Sequence, residues 1–102
     1  MSEAPIEALQ QAVEGLHNCR ATFSRKEHVH ETFQGQTAWE GTVHVFDLEG
    51  HETASVAYAW SEEVPGSNRR RFHAVLHAGP VKSAMDAVRA SIVESHRKTV
   101  MG

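Results

Sequence analysis

A chain of 102 residues is long enough for one hydrophobic core and one domain, 1–102, and too short for two. No stretch has the apolar length needed to cross a bilayer, Glu3 and Glu7 stand where a secretory signal would be basic and then apolar, and a lone Cys19 excludes an internal disulfide or a paired-cysteine zinc site and fits a reducing, cytoplasmic setting. The net charge of −3 divides into −8 over residues 1–64 and +5 over residues 65–102, a split that favours self-association or an anionic partner unless the strands interleave the two halves.

From Glu3 to His17 the apolar residues Ile6, Leu9, Val13 and Leu16 recur at steps of three, four and three, which predicts a helix. Pro5 suits its first turn and Asn18 a left-handed stop. Cys19 to Phe33 reads as a long polar strand, and Gln34-Gly35 as a turn. Thr37 to Leu48 is a second strand, with Gly41 expected to form a bulge. A turn at Glu49-Gly50-His51-Glu52 leads to a third strand, Thr53 to Ser61. Pro65-Gly66-Ser67-Asn68 is a loop, and Arg69 to His77 a fourth strand. Gly79-Pro80 ends the sheet. Ser83 and Asp86 suit a capping box for a last helix that carries Ala84, Met85, Val88, Ile92 and His96 on one stripe, with Arg97 and Lys98 in its last turn.

The expected fold is therefore α+β, in the order α-β-β-β-β-α: a two-layer, four-stranded antiparallel meander flanked by an N-terminal and a C-terminal helix, both on one face. A two-residue turn at Gly50-His51 places Val45 opposite Val56 and Phe46 opposite Ser55. Carried across the Pro65 loop, the pairing sets Ala57 near Ala74 and Tyr58 near His73. One face then collects Phe46, Leu48, Ser55, Ala57, Ala59, Phe72, Ala74 and Leu76, whose small alanines leave room for the helices. The other collects Val43, Val45, Val56, Tyr58, Trp60, Arg71, His73, Val75 and His77. An apolar face without helical cover is an interaction site, and Tyr and Trp beside Arg match interface hot spots.

These patterns point to a small intracellular, non-enzymatic binding domain. It would self-associate, most simply as a homodimer, or bind a protein partner through Val45, Val56, Tyr58, Trp60, Arg71, His73 and Val75. The alternative is nucleic-acid binding, with Arg69, Arg70, Arg71 and Lys82 on phosphates and Tyr58 and Trp60 stacking on bases. Its order of elements is loosely similar to the double-stranded-RNA-binding domain, α-β-β-β-α. That likeness covers order alone, with one strand extra, and Lys82 followed by Asp86 stands where that family has a lysine-rich helix entry.

Eight histidines raise the question of a metal. His28 and His30 share one side of a strand about 6.6 Å apart, with Trp39 and Gly41 expected opposite. His73 and His77 are about 13 Å apart, too far to chelate one ion. No third ligand is evident, so neither metal nor cofactor is expected. Cys19 near His17, and Tyr58 beside His73, are the only candidates for catalysis, and no carboxylate is expected to orient His73. No phosphate loop or nucleophile elbow is present.

Overall fold

The computed structural model describes residues 5–64 and 66–101, with side chains as far as Val93. Glu3, Pro65 and the side chains of His96, Arg97 and Lys98 lie outside the described residues. Six elements follow in the expected order: α1 (Ile6–His17), β1 (Arg20–Phe33), β2 (Gln36–Glu49), β3 (Val56–Glu63), β4 (Arg70–Leu76) and α2 (Ala84–Met101). The strands form one antiparallel sheet in the order β1-β2-β3-β4, an α+β fold.

Local chemistry sets the boundaries. Pro5 precedes the first turn of α1, and Asn18 closes it at φ 53°, ψ 53°, its N–H donating to the Glu14 carbonyl. Gln34 and Gly35 both take positive φ in the β1–β2 turn. At the start of α2 the Asp86 N–H donates to Ser83 Oγ at 3.1 Å, while the Asp86 carboxylate accepts from the Lys82 N–H at 3.0 Å. The shorter acid thus reaches one residue further back than a capping-box glutamate would.

The two faces are composed as expected, but the helices are divided between them. Leu9 and Val13 of α1 pack on Phe46, Ala57, Ala59 and Ala21, with Leu48, Ala74 and Leu76 at the margin. Ala84, Ala87 and Val88 of α2 pack on Val43, Val45, Tyr58 and Trp60. Bulky helix residues meet the small face of the sheet, and small helix residues meet its bulky face, so each layer interdigitates. The expectation of both helices on one face is corrected by the β4–α2 connection. It turns at Gly79-Pro80 and tucks Val81, 7% exposed, onto the Tyr58–Trp60 side. The sheet is apolar above and below because each side has a helix of its own.

The strand register also differs. His51 Nδ1 accepts from the N–H groups of Thr53 and Ala54, folding residues 50–55 into a loop in place of a two-residue turn. Val45 consequently faces Tyr58, and Phe46 faces Ala57. Further along, Tyr58 faces Val75 and Trp60 faces His73. The shift is two residues, which leaves every side chain on its expected face. Gly41 sits in regular pairing with Val29; the irregularities lie between Phe23 and Arg25 and between Glu31 and Thr32.

Candidate functional site: a cleft where two strands part

The ladder between β2 and β3 runs from Asp47–Val56 only to His44–Ala59. Beyond it, residues 36–43 continue with β1 and residues 60–63 continue with β4. Side chains bridge the resulting wedge. Trp39 folds back over Gly41, which has no Cβ to obstruct it. Its Nε1 donates to Glu62 Oε1 across the gap at 3.1 Å. Glu62 Oε2 accepts from His73 Nε2 at 2.7 Å. The His73 ring stacks on Trp60 with centroids 5.0 Å apart and planes at 17°, and Trp60 meets Trp39 edge to face at 5.8 Å. The four side chains close a circuit.

Above the circuit, Val88, Ser91 and Ile92 of α2 complete a cleft of about 220 Å³, lined from the sheet by Trp39, Trp60 and Glu62. The helix lies chiefly over β1 and β2, and the cleft lies between it and the parted ends of β2 and β3. Trp60 Nε1 is buried and has no hydrogen-bond partner among the described residues. The Glu62 side chain is 37% exposed, so a carboxylate faces solvent among aromatic walls. Further along the same face the Tyr58 hydroxyl lies 2.7 Å from His77 Nδ1. Burial, and secondarily the Glu27 carboxylate, push the Tyr58 phenol above its ordinary value.

The residues expected to form an open interface are placed differently. Val45, Tyr58 and Trp60 are buried beneath α2, Val56, His73 and Val75 are half-buried, and Arg71 is exposed. Lifting α2 is not a route to a free face. Val88 alone, 1% exposed, represents roughly 1.5–3 kcal/mol of burial, and the sheet residues it packs on would lose cover with it, against the roughly 5–15 kcal/mol that holds a whole domain folded. On the same side β4 presents exposed Arg71 and half-buried His73 and Val75, with half-buried His77 just past its end.

The basic residues do not gather. Arg70 donates to Ser61 Oγ and lies 3.8 Å from Glu63, whereas strand alternation turns Arg71 to the other face. Lys82 lies beyond the far end of β4, beside Asp86. His28 and His30 face Thr42 and Glu40, not Gly41 and Trp39, and bond Glu40 and Thr37. Among the described residues no group of three or more His, Cys, Asp or Glu side chains is placed to hold a metal ion. The expected Tyr58–His73 pair is replaced by Tyr58–His77 and by a carboxylate-held His73.

Sequence reasoning passed over Glu62 and left Trp39 without a face. The available signal was the period-two run Trp39, Gly41, Val43, Val45, together with Glu62 two residues after Trp60. Compared with known proteins, the chain matches no family model, no curated protein and no solved structure. No helix among the described residues is long and apolar enough to span a membrane.

Proposed function

We propose that the chain is a non-enzymatic binding domain, acting in the cytoplasm, whose recognition site is the cleft between the parted strands and α2. The observation that carries this reading is the end of the β2–β3 ladder at His44–Ala59, with an aromatic cleft beyond it that contains an exposed carboxylate. Small ligands are received in such concave sites, where apolar walls supply affinity and a few polar groups fix orientation. A binding role is favoured over catalysis because no serine, threonine or cysteine among the described residues hydrogen-bonds His73, which leaves the Glu62–His73 pair without a nucleophile to activate.

The chain has two tryptophans, and both line the cleft. A fragment library screened by the indole N–H resonances is expected to yield compounds that shift Trp39 and Trp60 together. Hits that leave both indoles unmoved and cluster elsewhere would overturn the assignment.

Self-association is a second reading. It is supported by β4 being an edge strand that carries exposed Arg71 on one face and Phe72, 36% exposed, on the other. Light scattering across a hundredfold range of concentration tests it: a rise in mass supports a dimer, and a constant monomer mass ends that reading.

A further inference from the structure

We infer that the cleft recognises an alkylammonium group, held by the Glu62 carboxylate beside the Trp39 indole; this rests on the binding reading above. Three observations on the lining support it. First, among the described residues the polar side chains that line it are Glu62, Ser91 and the two indoles, with no lysine or arginine. The field in the cleft is therefore that of a carboxylate beside the partly exposed Trp39 indole, and both attract a cation. Second, the carboxylate has capacity left. It receives one donor on each oxygen, from Trp39 and His73, and a carboxylate offers about four acceptor positions. Arg71 sits directly across from Glu62 in the ladder yet stays exposed and forms no ion pair with it. Third, the volume of about 220 Å³ falls below the roughly 300–1,000 Å³ of sites for drug-sized ligands. It suits a group the size of a lysine side chain, whose methylene stem would lie against Val88 and Ile92.

The existing hydrogen bonds fix the carboxylate before any ligand arrives. Trp39 and His73 hold it from two strands, so binding need not order a flexible acid. A free amine and a lysine side chain offer the same chemistry, and the two sources are separable by experiment.

The test is a titration of the intact chain, followed by tryptophan fluorescence and the two indole N–H resonances. The probes are n-butylammonium, N-acetyl-lysinamide, n-butanol and butyrate. Both indoles are expected to respond to n-butylammonium, with butanol and butyrate at least tenfold weaker. Glu62→Gln keeps an acceptor for Trp39 and removes the charge, and should weaken n-butylammonium at least tenfold while leaving butanol unchanged. If Glu62→Gln proves unfolded, Ser91→Leu supplies the second variant, which should block the cation by filling the mouth while the carboxylate remains. Tighter binding of N-acetyl-lysinamide than of n-butylammonium would assign the site to a lysine side chain, and the reverse order to a free amine. Equal binding of butanol or butyrate, or an undiminished affinity in Glu62→Gln, would overturn the cation inference while leaving the cleft as a binding site. Indoles that respond to none of the probes would overturn the inference and count against the cleft as well.

Discussion

A Cβ added at Gly41 would lie 3.0 Å from Cη2 and 3.3 Å from Cζ2 of Trp39. The backbone at Gly41 needs no left-handed conformation, so steric clearance for the ring is what selects glycine here. Gly41→Ala asks the indole to give by a few tenths of an ångström. Gly41→Val forces it off its seat, and with it goes the hydrogen bond to Glu62. The valine variant is expected to lose about 1–3 kcal/mol, as overpacked sites do, and its Trp39 N–H resonance should move toward that of a solvated indole. An unchanged urea midpoint together with an unchanged resonance would disprove this role. A glycine in a strand reads equally well as a bulge or as a clearance for a neighbour, and only the neighbour's position decides between them. That is why Trp39 and the site around it were not legible in the chain, whereas the alternation that puts Val43, Val45, Tyr58 and Trp60 together was.

The first helix does more than cover a face. Gln10 Nε2 donates to the Ala21 carbonyl at 2.7 Å, and the Ala21 N–H donates to Glu14 Oε2 at 2.9 Å. Both main-chain groups of an edge-strand residue are thereby occupied. On the opposite edge His17 Nε2 donates to the Ala74 carbonyl at 2.9 Å. Unpaired strand edges template association with other chains, and α1 blunts both borders of this sheet at one end. The double variant Gln10→Ala, Glu14→Ala should cost about 1 kcal/mol per hydrogen bond lost and raise the tendency to associate, read by urea denaturation and light scattering. An unchanged midpoint and mass would show that the bonds are incidental.

The second helix is tied down by Arg89, whose guanidinium bonds Glu31 of β1 at 2.6 Å. The hydrogen bond holds the Glu31 carboxyl below its ordinary value and Arg89 above its own. Both helices were legible from their stripes, and so was the order of all six elements. Their placement was not, because a stripe says that a helix has an apolar side without saying which side of a two-faced sheet receives it. The loop residue Val81 made that choice, and no periodicity includes it.

Seen whole, the molecule depends on two packed layers on opposite sides of one sheet, and its single tyrosine reports on one of them. The Tyr58 phenol is raised above the ordinary 10.0, first by burial and then by Glu27. Below about pH 10 folded and unfolded chains both hold that proton, and the group contributes no slope. As pH rises further the unfolded chain ionises first, so stability falls until the folded phenol also ionises. Alkaline denaturation should accordingly coincide with the appearance of tyrosinate absorbance, and Tyr58→Phe should remove that part of the slope. Absorbance that develops well before unfolding would contradict a phenol shielded by α2.

The short β2–β3 ladder makes the sheet mechanically resemble a pair of shears. Four residue pairs form the pivot, and the β1–β2 and β3–β4 hairpins are the blades. Past the pivot no backbone rung fixes the opening between the blades. Side chains span it instead, through the Trp39–Glu62 hydrogen bond and the Trp39–Trp60 edge contact, so a substitution at Glu62 alone would remove the hydrogen-bonded tie between the blades.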